Sequence, residues 1–476
     1  MKYQIKVILF LLGLQISLVA AVYYVPTPQC PTIQAGLDSC TANDTVLVAP
    51  GTYFENLVWP ATQGIDLLGE LGFDSTIIDG GGIGRVISLE TGVDTSTVIS
   101  GFTIRNGYSS PSGGVRCANN SNPIIKYNLI TNNMSEQSAG GIGCNNSSPI
   151  ISQNTIEYNT AQGSSGDQIG GGGIGVGYNS FPVIKENIIK NNVSLGPGGG
   201  LATGYNSSCQ IVGNIISENT AEMGGGIACA FDDFSLLENN EIKLNTANQG
   251  GGIWCRASSS FFNNIIEDNT ALLGGGMFFY SDLSLVEENQ IKGNTATSGN
   301  GGGIYCRTGS VTQIHLNGIC NNNGHGIYNE DPGVTVPADN NWWGDPSGPY
   351  HPVTNPGGTC NAVGDYVNYI PWSNNPPVGL SVVNVETIAD QFVLYQNYPN
   401  PFNPSTTISF YLPKNSEVTL KIFNIIGEEV STLIATSLPS GSYTYQWDAS
   451  GMASGVYLYR LEAEGYVEIR KMALMK

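Results

Sequence analysis

The sequence predicts an all-β protein in two parts, a long solenoid followed by a small β-sandwich, and three observations carry that prediction. Between Gly224 and Arg307 the chain reads G-G-G-I-A-C, G-G-G-I-W-C, G-G-G-M-F-F and G-G-G-I-Y-C, each cassette followed about a dozen residues later by N-x-I-x-x-N. Charged residues make up 12% of the chain, against roughly 25% in average proteins, and the 62 Gly fit tight turns better than helices. Beyond residue 389 the repeat gives way to strand-length alternation with turn signals between the runs. At 476 residues the chain also exceeds one ordinary globular core.

Met1 to Ala21 has the pattern of a secretory leader: Lys2 and Lys6, an apolar run from Val7 to Leu14, and small residues at Val19-Ala20-Ala21. Its removal takes the 18 basic residues to 16 against 38 acidic ones, a net charge of about −22. Nucleic acid is excluded as a partner, because phosphates need a basic footprint. No second apolar run is long enough to span a bilayer, so the mature chain is expected to lack a transmembrane segment. It is expected to be an exported monomer.

The ten Cys are read in that exported setting. Cys30 and Cys40 bracket P-T-I-Q-A-G-L-D-S, a short amphipathic helical pattern, and a Cys30–Cys40 disulfide is expected there. Cys117, Cys144, Cys229, Cys255 and Cys306 recur at one position of the repeat. In-register neighbours on adjacent strands stand about 4.8 Å apart, wider than the Cβ separation of about 3.8 Å that a disulfide prefers, so these five are expected to be buried thiols. There is no C-x-x-C pair and the three His are scattered, so no zinc site is predicted.

In chain order, residues 32–107 hold short β-branched runs ended by Gly, Pro, Asn or Asp, among them D-T-V-L-V-A-P-G-T-Y-F-E-N and V-I-S-G-F-T-I-R-N-G. This stretch resembles the opening of a right-handed parallel β-helix of the pectin-lyase-like class. The resemblance implies that the amphipathic helix plugs the first coil and that P-G-T-Y-x-E-N starts the winding. Enzymes and non-enzymes share that opening, so it speaks to the fold and not to the reaction.

From Gly114 the repeat is regular, with a period near 26 residues that carries three short strands, as one turn of a solenoid would. Its third strand is the N-x-I-x-x-N element, present eight times, which aligns Asn128 to Asn317 in one column and Asn133 to Asn322 in another. Stacked amides are expected to hydrogen-bond from coil to coil, and Asn tolerates the left-handed backbone of a sharp corner. The intervening Ile130, Ile156, Ile189, Ile216, Ile242, Ile266, Ile291 and Ile319 should point inward. The G-G and I-x-x-N repeats also resemble those of chlamydial-type polymorphic outer-membrane proteins, which supports a surface location.

After Tyr328 the repeat decays into N-N-W-W-G-D-P-S-G-P, which is similar to the closing coils of many secreted β-helix proteins, with Trp342 and Trp343 covering the last layer of core. About eleven or twelve coils are expected over residues 22–372, roughly 50 to 60 Å at 4.8 Å per coil. Residues 373–388 read as a linker. Residues 389–476, expected to form an Ig-like β-sandwich, carry Asn397-Tyr398-Pro399-Asn400-Pro401-Phe402-Asn403-Pro404, Asp448, Gly455-Val456-Tyr457 and a closing K-M-A-L-M-K. They resemble the C-terminal sorting domain of type IX secretion substrates in Bacteroidota and related bacteria. That implies export, engagement of the type IX machinery, and display on the outer-membrane surface or release.

No familiar catalytic motif is present: no G-x-S-x-G, H-E-x-x-H, Walker loop or EF-hand. One strand position is left free by the scaffold. If Ile253 and Cys255 face inward, Trp254 faces outward, with Phe278, Tyr305 and Tyr328 in the following coils and Arg116, Gly143, Gly175, Ala202 and Ala228 in the preceding ones. Outward aromatics on a flat sheet offer a carbohydrate-stacking platform, and neighbouring Arg256, Tyr280 and Arg307 would complete it by pairing with uronate or sulfate. The structural alternative packs the stripe under the segment returning from Asp331 to Trp372. Asp232, Asp233 and Asp282 are the carboxylates from which a calcium site or an acid/base pair could be built, or they are solvated turn residues. Calcium is the only cofactor left open. The expected function is a non-catalytic surface protein that binds extracellular polysaccharide or acts as an adhesin; the alternative is a polysaccharide lyase or glycoside hydrolase acting in a groove of the same fold.

Overall fold

The structure is a computed structural model. It describes residues 20–163, 170–231, 233–280 and 283–376 of a first compact unit, and 392–394, 397, 402–412, 414, 416–424, 428–438 and 441–474 of a second. Most of the expected leader and of the linker, and the first few residues of the sorting segment, lie outside the described residues.

The first unit is a parallel β-solenoid of about twelve turns, whose coils pass through three long sheets of 12, 13 and 11 strands. Register is maintained residue for residue: Ile227 pairs with Ile253, Ile253 with Met277 and Met277 with Ile304. The same holds for the third strand, where Ile216, Ile242, Ile266, Ile291 and Ile319 stack in line. All these side chains are fully buried in one continuous core. Because strand side chains alternate faces, the bore is filled by the middle residue of each third-sheet strand, such as Ile242, and by the two outer residues of each strand such as Ile253–Cys255, while their neighbours face outward.

The polar columns hold the corners. Asn245 Nδ2 donates to Asn269 Oδ1 (3.0 Å) and to the Ile216 carbonyl (2.9 Å), and the Asn245 backbone N–H donates to the same Asn269 oxygen (3.0 Å). This pattern repeats along both columns, and Asn341 and Asn361 extend them past the last regular repeat. The left-handed residue of each corner differs from the expectation. It is the residue before the ladder Asn, such as Tyr158, Leu244 or Leu316, that takes φ near +55°. The ladder Asn must keep its amide turned into the corner, so its exposed predecessor absorbs the turn, and the amide hydrogen bonds hold that predecessor in place.

The two ends are closed differently. At the start, the helix Ile33–Ser39 is capped by Thr32 Oγ1, which accepts from the Ala35 N–H (3.1 Å), and by Glu55 of the P-G-T-Y-F-E-N run, which accepts from the Ile33 and Gln34 N–H groups (2.9 and 3.0 Å). A carboxylate there meets the orphan donors and the positive end of the helix. Cys30 and Cys40 are buried but are free thiols, not the expected disulfide; Cys40 Sγ donates to the Gly36 carbonyl at the helix C-terminus instead. The repeated Cys are buried thiols too. At the far end Trp343 is fully buried in the core with Val336, Ala338 and Val363, while Trp342 pairs through its backbone with the preceding coil.

The second unit has antiparallel sheets of three and four strands around Phe402, Ile408, Phe410, Leu420, Trp447 and Tyr459. Among the described residues no helix is long and apolar enough to cross a membrane.

Candidate functional site

The aromatic stripe faces away from the bore, as the alternation requires, but it is not an open surface. Trp254 is 5% exposed, Phe278 0% and Tyr305 4%, and with Ala202 and Ala228 they make a second apolar cluster separate from the main core. The cover is not solvent; the segment from Asp331 to Trp372 meets the stripe at Tyr328, through Gly364, and supplies no member of the cluster around Trp254, Phe278 and Tyr305. The cover comes from within each coil. The first glycine of each triplet, Gly224, Gly250, Gly274 and Gly301, has φ of +64° or +65° and turns the chain back over the strand that follows. A Cβ on Gly301 would lie 2.8 Å from Tyr305 Cβ, and one on Gly274 3.0 Å from Phe278 Cβ. Glycine takes that φ without strain and leaves that approach open. Met223 and Leu273, just before two of these turns, pack on one flank of the stripe, and Ala230 and Tyr280 on the other.

The rings also cover one another. Phe278 and Tyr305 stack with centroids 5.0 Å apart and planes 3° from parallel, and Tyr328 follows at 5.3 Å. With those faces occupied by neighbouring rings, a sugar cannot stack on them. The expected stacking platform is therefore corrected for Trp254, Phe278 and Tyr305: they are packing residues. Burial, and then Glu330 beside it, push the Tyr305 phenol up.

The residues expected to accompany the stripe form the more accessible feature. Arg256, Tyr280 and Arg307 follow the strands of three successive coils. The Arg256 guanidinium lies 3.9 Å from the Phe231 ring centroid and 4.8 Å from that of Tyr280, and the Arg307 guanidinium lies 4.8 Å from Tyr280. Glu330 approaches Arg307 at 3.8 Å. Arg256 is exposed, and among the described residues no carboxylate stands within ion-pair distance of it. The same turn carries Tyr205 and Tyr178 in the preceding coils, stacked at 5.0 Å with planes 5° apart and joined to Phe231 through the backbone ladder. Tyr178, Tyr205 and Phe231 were not singled out from the sequence. Their signal is the recurrent Y-N-S at Tyr178 and Tyr205 within two residues of the strand end, continued as F-D-D at Phe231.

The earlier coils offer less space. Arg116, at the head of the stripe, pairs with Glu90 (3.3 Å), which also takes Arg85 (3.2 Å). Over Gly143 and Gly175 only a cavity of about 40 Å³ remains, room for a few waters and not for a sugar ring.

Asp233 is also corrected. It is fully buried within the solenoid, in line with the inward serines Ser121, Ser147, Ser180 and Ser207, and is not a solvated turn residue. Its carboxylate accepts from Ser235 Oγ (2.7 Å) and Ser259 Oγ (2.9 Å), and burial pushes its pKa up against those hydrogen bonds. It faces no site open to calcium. Asp232 and Asp282 lie outside the described residues. Among the described residues no three His, Cys, Asp or Glu side chains gather as a metal site.

Comparison with known families gives two matches. Residues 62–270 match the right-handed β-helix region, and residues 396–475 match the secretion system C-terminal sorting domain. No curated protein and no solved structure matches the chain.

Proposed function

We propose that this chain, an exported right-handed β-helix protein directed by its type IX secretion sorting domain to the outer-membrane surface or the extracellular space, holds acidic extracellular polysaccharide along the turn column from Tyr178 to Arg307. The observation that carries the reading is the guanidinium of Arg256 held between the rings of Phe231 and Tyr280. A guanidinium flanked on both faces by rings presents its N–H edge outward, and that edge matches a carboxylate or sulfate with two parallel hydrogen bonds. Flanking rings also fix the side chain before the ligand arrives, which lowers the entropy lost on binding. Stacked aromatics seen edge-on present their positive rims, so the column as a whole favours anions over neutral sugars.

Among the described residues, the strong negative charge of the chain opposes this at short range only where Glu330 stands 3.8 Å from Arg307, which leaves Arg256 as the principal contact. At physiological ionic strength the Debye length is about 8 Å, so the groups in contact with the ligand decide the local balance. One coil advances about 4.8 Å, so Tyr178 to Arg307, spanning five coil-to-coil steps, offers roughly 24 Å of track for an extended chain.

The test measures binding of the full chain to pectate, a sulfated glycan and a neutral glucan, in wild type and in Arg256→Gln/Arg307→Gln. Acidic glycans should bind and lose at least about tenfold in affinity in the double variant, the charge-assisted pair made by Arg256 alone contributing roughly 1.5 kcal/mol. The neutral glucan should bind weakly to both. Unchanged affinity in the double variant would sink the reading. Release of unsaturated or reducing ends during the same incubations would mark an enzyme instead.

A further inference from the structure

Eight of the ten cysteines are buried; Cys320 and Cys360 are the two that are partly exposed. They are 40 positions apart in sequence but face the same small space. Cys320 ends the last strand of the third long sheet, Gly318–Cys320, and Cys360 opens the strand Cys360–Val363, which returns from the closing segment. Gly344, one coil beyond Cys320, lies against both: a Cβ built on it would stand 3.0 Å from Cys320 Cβ and 3.8 Å from Cys360 Sγ. No more than about 7 Å therefore separates Cys320 Cβ from Cys360 Sγ. The backbone on either side is fixed. Ile319 N–H donates to the Trp342 carbonyl (2.7 Å), Asn322 N–H donates to Asn361 Oδ1 (2.8 Å), and Asn361 Nδ2 donates back to the Asn322 carbonyl (2.5 Å). The two thiols thus lie on either side of Gly344, beside a pair of residues already hydrogen-bonded across the closing layer, Asn322 and Asn361.

We propose that Cys320 and Cys360 become joined by a disulfide during export, which cross-links the last coil of the solenoid to the strand that closes it. The co-reactant is a disulfide of the cell envelope, either a protein dithiol oxidant or a small disulfide such as oxidised glutathione. The thiolate of Cys320 attacks one sulfur of that disulfide, forming a mixed disulfide and releasing one thiol. The thiolate of Cys360 then attacks Cys320 Sγ and releases the second thiol. Two cysteine thiols are oxidised, one partner disulfide is reduced, and the two protons leave on the two released thiols. Burial pushes the Cys320 thiol pKa up and Lys292, its register partner on the neighbouring coil, offsets part of that rise, so the first attack is assigned to Cys320 for the cation beside it. The ladder cysteines are excluded from the exchange by burial: Cys117, Cys229 and Cys255 are 0% exposed. The bond would act at the end of the solenoid where fraying begins and would close a loop that contains Trp342 and Trp343.

The experiment exposes the purified full chain to oxidised glutathione, then denatures it without reductant, alkylates free thiols and maps the peptides by mass. The expected result is eight alkylated cysteines, one Cys320–Cys360 linked peptide, and an unfolding midpoint several degrees above that of the reduced chain. Cys320→Ser should leave Cys360 trapped as a stable glutathione adduct, and Cys360→Ser should do the same for Cys320. Should either variant fail to fold, the wild-type peptide map decides alone. Ten alkylated cysteines, persistent glutathione on both Cys320 and Cys360 of the wild type, or a linkage elsewhere, including Cys30–Cys40, would overturn the proposal.

Discussion

Two halves of one solenoid use the same strand position in opposite ways. In the coils around Gly143 and Gly175 the outward residue between the two inward ones is glycine, and in the coils from Trp254 to Tyr305 it is aromatic, although strand pairing and register are alike throughout. The turn before the strand is left-handed in both halves; the difference lies in the side chain it carries. In the early half the turn position holds Ser112 and Ala139, so that a Cβ on Gly143 would lie 1.8 Å from Ser112 Oγ and one on Gly175 3.0 Å from Ala139 Cβ. From Gly171 onward that position is glycine, and the side-chain volume passes to the strand, where stacked rings fill it. The same scaffold therefore buries its outer face in two ways, by a side chain on the turn and by side-chain volume on the strand.

Exchanging the two solutions should break the comparison most severely. Phe278→Ala removes a fully buried ring and the stack on Tyr305, and should cost about 3–5 kcal/mol. Gly143→Phe, which forces a ring against the buried Ser112, should cost at least as much, because the side chains of Ser112 and Ala139 already fill the space over Gly143. Urea denaturation of both variants checks this. A Gly143→Phe chain as stable as wild type would mean that the early turns can make room for a ring as the later ones do, and the contrast between the halves would fail.

The sequence reached different depths in the two halves for physical reasons. The inward Ile columns, the Asn ladders and the coil count were legible because each repeats a constraint on every coil, and repetition is what one sequence displays. The direction of Trp254 was legible from alternation; its burial was not, since it depends on whether a neighbouring glycine turn lies over the strand or away from it. Asp233 was misread because its column is serine in the coils before it, and a single acidic residue in a turn carries no sign of where the turn points. The Arg256–Tyr280–Arg307 group could be named from its outward positions, but the extension through Phe231, Tyr205 and Tyr178 needed the path of the turn.

Asp233 belongs to the coil at which the stripe changes from Ala228 to Trp254, and it offers a finer test of what that junction tolerates. Burial raises its carboxyl pKa above the unfolded value, so its protonated form fits the folded chain better than its ionised form does. The stability this linkage contributes is fully present below the unfolded pKa and is lost as pH rises through the folded one. Asp233→Asn should keep hydrogen bonding to Ser235 and Ser259 without a charge to bury. Its unfolding midpoint should exceed that of wild type at pH 8, and the advantage should shrink as pH falls toward 4. A constant offset across that range would show that the Asp233 carboxyl carries no such shift.

The smallest effect is expected where the two halves are alike. On the third sheet the outward charges pair from coil to coil in both: Lys190 meets Glu157 at 3.3 Å in the early half, and Lys292 meets Glu267 at 3.0 Å in the later one. Both lysines keep about two-fifths of their side chains in solvent, 38% and 41%, so screening and side-chain entropy cancel most of the attraction. Lys190→Ala and Lys292→Ala should each cost less than about 1 kcal/mol and should match one another within the error of a chemical denaturation curve. If Lys292→Ala proved clearly the more damaging, the later half would be distinguished on this face too, and the turn before the strand could no longer be the whole of what separates the two.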